Sequence, residues 1–300
     1  MDYSVKAIRK QFAEKGVFYT DLSLANMMRA ILPNDVKEIY DPTCGNGQLL
    51  SVFPDDVQKY GQDIDATQVE VAASRLKNFH GASGDTLKAP AFIDKRFDAI
   101  IANPPFSIAW QPANDERFKG LPCLPPKSKA DYAFLAHILY MISDGGTAVV
   151  LNFPGILYRG NAEGKIRRWF IERNYIDSVI MIDGGHFADT AIATCLLVLK
   201  KHRAAQTIRF EHNEYKRDVT IEEIANEGYD LSVSRYIEEQ QPKAVYNPVE
   251  LERDALNGLA ARLDKELTFE ETVRRLEGWS MKPVFDALDD VIEKHRRLLR

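Results

Sequence analysis

The sequence predicts an α/β fold built on a mostly parallel sheet. Short apolar segments alternate with segments whose apolar residues recur every three or four positions, which is typical of strands joined by helices. A length of 300 residues, 45% of them hydrophobic and 28% charged, suits one such domain with an appendage. The link between the last two predicted strands, residues 183–193, is too short for a crossover helix, so we expect those strands to pair antiparallel.

The composition argues against a membrane protein, a secreted disulfide-rich protein and a strongly basic nucleic-acid-binding protein. No segment approaches the length of a membrane span, and residues 1–6 lack the apolar core of a signal peptide, so we expect a cytoplasmic protein. Cys44, Cys123 and Cys195 are widely spaced and odd in number, which predicts free thiols and no metal site. The 39 basic and 44 acidic side chains give a net charge of −5, so the chain alone should bind nucleic acid weakly.

The elements follow in chain order. An opening helix should end near residue 32, with Thr20 or Asp21 as its N-cap. Strands are predicted at residues 37–41, 59–65, 97–102, 145–151, 178–182 and 194–199, another strand ends before 84–86, and helices are predicted from residue 49 and over 67–77, 128–142 and 163–173.

A glycine-rich turn follows the first predicted strand. Gly45 and Gly47 are two residues apart, a spacing that lets the backbone approach a ligand closely. The full dinucleotide fingerprint would have glycine or alanine at position 50, where this chain has Leu50, so NAD and FAD are disfavoured.

Acidic residues mark the ends of the next two strands. Asp63 can accept hydrogen bonds from both ribose hydroxyls of a nucleoside, while Ile64 can lie against its adenine ring. We favour Asp63 over Asp65, which has the position of a helix N-cap. In Gly84-Asp85-Thr86, Asp85 either approaches the adenine amine or belongs to an ordinary turn.

The most informative segment is Asn103-Pro104-Pro105-Phe106, after the predicted strand 97–102. Proline cannot donate to a sheet ladder, so the strand should stop here, at the edge where open α/β sheets bind ligands. The segment combines a side-chain carbonyl, a rigid backbone carbonyl and an aromatic face, which together fit a flat ring that bears an amine. An ordinary turn is the alternative for the tetrapeptide alone. The long proline-rich loop that follows, 107–127, is a candidate substrate-facing flap.

These motifs resemble a known family. Residues 41–47 resemble the first motif of S-adenosylmethionine-dependent methyltransferases that act on exocyclic amines. Further blocks at 128–135, 162–167, 191–199 and 231–236 are similar to the modification subunit of type I restriction-modification systems, an N6-adenine DNA methyltransferase. The resemblance runs from about Gly16 to Tyr236.

The resemblance implies a Rossmann-like class I methyltransferase sheet of seven main strands with the last antiparallel. It implies a methyltransferase domain over 1–238, a helical tail over 239–300, and DNA, a specificity subunit and a restriction subunit as partners. Such subunits usually carry a helical domain before a Phe-Tyr-Thr segment, which is Phe18-Tyr19-Thr20 in this chain. Only about fifteen residues precede that segment here, so we expect a short form, either part of a restriction-modification system or a related stand-alone enzyme.

The resemblance also assigns residues. In adenine methylation, the Asn103 side-chain oxygen and the Pro104 carbonyl accept the two amine protons, and Phe106 stacks on a base swung out of the duplex. The implied catalytic residues are Asn103, Pro104, Pro105 and Phe106, and the implied cofactor-binding residues are Phe18, Tyr19, Thr20, Asp41, Pro42, Thr43, Cys44, Gly45, Asn46, Gly47, Asp63, Ile64, Gly84, Asp85 and Thr86.

Two questions stay open at this point. Leucines at 256, 259, 263 and 267, and a second apolar series from Val284 to Leu299, predict two amphipathic helices. These helices either pack on each other or on the domain, or form a partner-binding seam of coiled-coil type. The alternative functions are methylation of protein glutamine or of an RNA guanine amine, because either group makes the same demands on an Asn-Pro-Pro-aromatic segment, and a non-catalytic binding module.

Overall fold

The computed structural model describes residues 22–112, 115–184, 193–237 and 248–298. The chain divides into two compact units, Met1–Glu239 and Gln240–Arg300. The predicted cap of the first helix, Thr20 or Asp21, lies outside the described residues, as do Phe18 and Tyr19.

Helices and strands alternate through most of the first unit, as predicted. The helices are α1 (Leu22–Ile31), α2 (Ala66–Arg75), α3 (Asp131–Met141), α4 (Asn161–Glu172) and α5 (Ile221–Asn226). The strands are β1 (Glu38–Asp41), β2 (Gln58–Asp63), β3 (Phe79–Ser83), β4 (Phe97–Ala102), β5 (Ile142–Asn152), β6 (Ile176–Ile182), β7 (Thr194–Lys200), β8 (Thr207–His212) and β9 (Tyr215–Thr220).

All of these strands join one sheet in the order β3-β2-β1-β4-β5-β7-β6-β8-β9. Strands β1 to β5 run parallel, and β7 lies antiparallel between β5 and β6, which confirms the predicted reversal. The sequence did not predict β8 and β9, which extend the sheet beyond β6 as a hairpin.

Alternation along the central strands fills both faces of the sheet. Ile39 and Ile101 belong to one buried cluster, whereas their neighbours Tyr40 and Ile100 belong to the other. Because successive side chains of a strand point to opposite faces, the nearly continuous apolar sequence of β4 is what a doubly covered parallel strand requires.

The helix predicted from residue 49 is wrong. Only the short 3-10 helix Leu50–Val52 forms there. Pro54 follows almost at once and has no backbone N–H to continue a helix, and β2 already begins at Gln58. The glycine-rich turn therefore passes into a single helical turn rather than into a full helix.

The second unit holds the two predicted helices, α6 (Pro248–Glu277) and α7 (Lys282–Leu298). Apolar side chains on both helices are exposed in the isolated chain, among them Leu256, Leu259, Phe285 and Ile292. Packing within the tail and a partner-binding seam both remain predictions. Within the described residues, no helix is long and apolar enough to cross a membrane.

Candidate active site

The candidate site lies where the strand order reverses. β1 has β2 on one side and β4 on the other, and Tyr40 of β1 is in register with Ile100 of β4. The segments after these two parallel strands therefore begin side by side at the carboxyl edge of the sheet. Ligands of open α/β sheets bind at such a reversal point.

Asp41, at the end of β1, is buried and organises the turn that follows. Its Oδ1 accepts hydrogen bonds from the Thr43 backbone N–H at 2.9 Å and from the Thr43 hydroxyl at 3.4 Å. Burial raises the pKa of the Asp41 carboxyl to about 8; the Thr43 N–H lowers it, and the negative charge of Asp63 raises it further. Asp41 is therefore a largely protonated carboxyl at neutral pH.

The two glycines of the turn have different surroundings. Both have positive φ, +49° at Gly45 and +79° at Gly47. A Cβ at Gly47 would lie 2.6 Å from Leu76 Cδ1 and 3.1 Å from Ala72 Cβ, whereas a Cβ at Gly45 would meet nothing within 4 Å. Gly47 therefore permits close packing against α2, and Gly45 leaves open space at the edge of the sheet.

Asp63, at the end of β2, braces this turn. Its Oδ2 accepts a hydrogen bond from the Gly45 N–H at 2.8 Å, and its Oδ1 accepts one from the Asp65 N–H at 3.0 Å. Asp65 caps α2 by accepting from the Thr67 N–H, which confirms the predicted N-cap. The two acids thus have separate structural roles, with Asp63 facing the glycine turn.

The segment after β3 is tied to the same turn. The hydroxyl of Thr86, itself buried, donates to the Pro42 carbonyl at 2.6 Å. Asp85 Oδ1 accepts from the Leu87 and Lys88 N–H groups, which is the turn-forming role that we weighed against an adenine contact. Ile64 is 73% exposed, so an apolar side chain stands uncovered beside Asp63.

Asn103-Pro104-Pro105-Phe106 begins directly after β4, where the sequence predicts it. Asn103 and Phe106 are half-buried, Pro104 is buried and Pro105 is exposed. Phe106 packs against the same core cluster as Leu49 and Ile101. The remaining predicted positions in the glycine turn, Thr43, Cys44 and Asn46, lie on the neighbouring β1 side of this edge.

Sequence reasoning missed Arg117, which holds the 107–127 loop onto the sheet edge. Its guanidinium donates to the carbonyls of Thr86 at 2.9 Å and Leu87 at 2.6 Å, and it pairs with Asp115 at 2.6 Å. Phe118, beside it in the chain, is buried in a small apolar cluster with Leu87. Arg117 therefore ties the described part of the loop to the segment after β3, and no pattern in the sequence singled it out.

A buried histidine completes the Arg117 contacts. Arg117 donates to His137 Nδ1 at 3.2 Å, and because a guanidinium can only donate, the proton of the neutral ring belongs on Nε2, 3.2 Å from the Tyr40 hydroxyl. Burial lowers the pKa of His137 to about 3, and the charge of Arg117 lowers it further, against the opposing effect of Asp115. His137 is thus neutral at physiological pH.

The structure offers no metal centre in the part of the chain it describes. No three His, Cys, Asp or Glu side chains are grouped there as a metal site would need. The three cysteines are free, with Cys44 and Cys195 buried. Cys44 packs under the glycine turn, where its N–H donates to the Gln62 carbonyl at 2.9 Å.

Comparisons with known proteins agree with these motifs. The model of the family described as N-6 DNA Methylase matches residues 4–210. The methylase subunit of the type I restriction enzyme MpnII from Mycoplasma pneumoniae is 28% identical, over 94% of this chain and 58% of that protein. The corresponding HindI subunit of Haemophilus influenzae is 25% identical, over 70% of this chain and 54% of that protein.

A solved structure is similar as well. The methyltransferase subunit of a type I restriction-modification system from Streptococcus thermophilus has a TM-score of 0.69 and 28% identity, over 74% of this chain and 59% of that one. The predicted class I methyltransferase fold and the predicted family are confirmed. The chain spans less than two thirds of these relatives, 58% of the first and 54% of the second.

The two glycines of the turn should respond differently to the same substitution. Alanine at a positive φ costs about 1–2 kcal/mol at either position. At Gly47 the new Cβ also meets Ala72, which is fixed on α2, and overpacking adds about 1–3 kcal/mol. We therefore expect urea unfolding to give a larger loss of stability for Gly47→Ala than for Gly45→Ala. Equal losses would contradict the packing against α2.

His137 should make stability depend on pH. Below pH 6.5 the unfolded chain protonates this histidine while the folded chain does not, so stability falls as pH falls towards 3. Asp41 has the opposite effect between about pH 4 and 8, so the comparison must be with a variant. Between pH 7 and pH 5, the unfolding free energy of the wild type should fall by about 2 kcal/mol relative to that of His137→Gln. A difference independent of pH would show that His137 takes up a proton between pH 7 and 5 in the folded protein as it does in the unfolded one.

Proposed function

The chain belongs to the N-6 DNA Methylase family, and from this we propose that it transfers a methyl group from S-adenosylmethionine to N6 of adenine in DNA, as the modification subunit of a type I restriction-modification system. The observation that carries the proposal is the position of Asn103-Pro104-Pro105-Phe106. This segment leaves β4 beside the glycine turn of β1, at the reversal of the strand order. A cofactor over the turn and a target amine at Asn103 would then be neighbours.

The residues around the turn fit S-adenosylmethionine. The open space at Gly45 allows a ligand to approach the backbone, and the adjacent Asp41 carboxyl can pair with a ligand ammonium group once it has lost its proton. Asp63 has lone pairs beyond those used by the Gly45 and Asp65 N–H groups, so it can still accept from ribose hydroxyls. The exposed Ile64 offers an apolar face for adenine. When bound, the cofactor supplies an electrophilic methyl group on a sulfonium.

The Asn103 segment fits the other reactant. Adenine N6 is a poor nucleophile because its lone pair is delocalised into the ring. Hydrogen bonds from the amine to the Asn103 side-chain oxygen and the Pro104 carbonyl hold that lone pair towards the methyl group and stabilise the positive charge that grows on nitrogen. Phe106 provides a face for stacking on a base extruded from the duplex. No ionisable base is required to begin the transfer.

DNA binding should need a partner. The net charge of −5 provides little attraction for phosphates, and phosphate contacts supply most nonspecific affinity. The MpnII and HindI relatives are named as methylase subunits of restriction enzymes, which supports a specificity subunit and a restriction subunit as partners. The exposed apolar residues of α6 and α7 support the tail as the contact region. DNA and cofactor as substrates imply a cytoplasmic location.

Asp63 and Asp65 provide a matched test of cofactor binding. Asp63→Asn replaces an acceptor oxygen with an amide N–H group, so affinity for S-adenosylmethionine should fall by about 1–3 kcal/mol. Asp65→Asn keeps an equally good N-cap on α2 and should leave the affinity unchanged. Titration calorimetry measures both. A loss confined to Asp65→Asn would move the ribose contact to that residue.

Asn103 and Phe106 separate chemistry from capture of the base. Asn103→Ala removes stabilisation made mainly in the transition state, so methyl transfer should be abolished while cofactor affinity stays within about twofold. Phe106→Ala should weaken capture of the extruded base by about 1–3 kcal/mol. The assay is mass spectrometry of DNA, RNA and protein after incubation with labelled cofactor and the specificity partner. Label on glutamine or guanine would contradict the proposal, as would cofactor binding without any transfer.

A further inference from the structure

The residue immediately after the Asn103–Phe106 segment has an unfavourable backbone conformation. Ser107 has φ of +52°, in the left-handed region, where its Cβ crowds the following carbonyl. Such a conformation persists in a residue other than glycine only when its surroundings fix it. The contacts that fix Ser107 therefore also define the direction in which the chain leaves Phe106.

Two charged side chains, one on α3 and one on the segment after β5, form hydrogen bonds with Ser107. Asp131, the first residue of α3, accepts the Ser107 N–H at 3.2 Å through Oδ1. Arg159, which follows β5, donates from Nη1 to the Ser107 hydroxyl at 3.1 Å. A backbone hydrogen bond from the Ala130 N–H to the Ile108 carbonyl, at 2.8 Å, fixes the next residue. Both the amide and the side chain of Ser107 are thus held.

Asp131 and Arg159 belong to a buried ionic cluster. Arg159 Nη2 lies 3.4 Å from Asp131 Oδ2 and 2.9 Å from Oε1 of Glu163, on α4. The side chains of Asp131 and Glu163 are only 1% and 6% exposed, and Lys129 lies 3.9 Å from Glu163. Two carboxylates and two cations balance the charge, which is what burial of ionised groups requires.

Several polar atoms of this cluster have no well-aligned hydrogen bond. Arg159 Nε and Nη2, Asp131 Oδ2 and Glu163 Oε1 are buried without an aligned hydrogen-bond partner among the described residues, although the opposite charges are close. Buried polar atoms of this kind are uncommon and call for an explanation. The contacts that are well aligned, at Asp131 Oδ1 and Arg159 Nη1, are those directed at Ser107.

We propose that Asp131, Arg159 and Glu163 are positioning residues that lock Ser107 in its left-handed conformation and so fix the Asn103 and Pro104 carbonyl oxygens for the target amine. This inference rests on the proposed function, in which those two oxygens accept the amine protons. Arg159 is central because it connects the segment after β5 to the segment after β4. Glu163 and Asp131 hold its guanidinium from two sides.

The test uses the full chain with its specificity partner and three variants. Asp131→Asn removes a charge from the cluster. Ser107→Gly removes the hydroxyl and frees the backbone, whereas Ser107→Ala removes the hydroxyl alone. The matched control is Arg203→Lys: Arg203 is also buried and pairs with Asp177 at 3.1 Å, but it donates to the Ile176 carbonyl at the amino end of β6, the opposite edge of the sheet.

Three quantities are measured: the single-turnover rate of methyl transfer, the cofactor dissociation constant, and hydrogen exchange of the amides in 106–110. Asp131→Asn and Ser107→Gly should lower the rate by about 10- to 100-fold and speed the exchange, with cofactor affinity unchanged. Ser107→Gly should do so without lowering the melting temperature, because glycine relieves the positive φ. Ser107→Ala should lose less rate than Ser107→Gly. Arg203→Lys should lower the melting temperature and leave rate and exchange intact.

Two results would overturn the inference. The first is that Asp131→Asn and Ser107→Gly keep the wild-type rate and the wild-type exchange. The second is that the loss of rate follows the loss of melting temperature across all variants, the control included, because that would be a general effect of stability. If the wild type transfers no methyl group to adenine, the proposed function fails, and the exchange data alone decide whether the cluster fixes Ser107. Slow exchange in the wild type with fast exchange in Asp131→Asn supports that role of the cluster, and equal exchange in the two proteins refutes it.

Discussion

Backbone polar groups that emerge at the carboxyl edge of a parallel sheet must find hydrogen-bond partners, and this constraint shapes the whole edge. Each of the parallel strands β1 to β5 ends there, so the backbone of the segment that follows it has no neighbouring strand to pair with. Side chains from adjacent segments take over: Asp63 accepts from Gly45, Thr86 donates to the Pro42 carbonyl, and Arg117 donates to the Thr86 and Leu87 carbonyls. Every such bond joins two different loops. The edge is consequently one connected surface rather than a row of independent turns.

This connection explains how two sets of residues with different tasks can share one edge. The glycine turn leaves space at Gly45, and Asp63 fixes its outline from β2. Ser107, the residue that follows the Asn103 segment, is instead held by side chains of α3 and of the chain after β5. The glycine turn thus leaves room for a ligand, whereas the backbone after Phe106 is held in one conformation. Methyl transfer between two bound molecules would use both properties, because the acceptor must be aligned within a fraction of an ångström while its donor enters and leaves.

The sequence predicted the parts of the structure that depend on local pattern. The alternation of elements, the reversed β7, the Asp65 cap and the position of Asn103 after β4 are all found. Patterns of glycine, proline and apolar periodicity encode such features within a few residues. The contacts of Arg117 with Thr86, Leu87 and His137, and of Arg159 with Ser107 and Asp131, could not be predicted in this way, because these partners lie 20 to 52 residues away in the chain. A charged residue in a polar loop is normally solvated, so only the tertiary structure reveals that these two are anchors.

The buried Asp41 has a consequence for thermodynamics. A carboxyl with a pKa of about 8 is mostly neutral in the cell, and it becomes a good partner for a cation only after losing its proton. A positively charged ligand group that binds beside it would lower this pKa and favour loss of the proton, so binding and deprotonation are linked. Ligand uptake at this edge would be a proton-releasing event. Occupancy would then respond to acidification of the surroundings even at constant ligand concentration, through a residue that does not take part in the transfer itself.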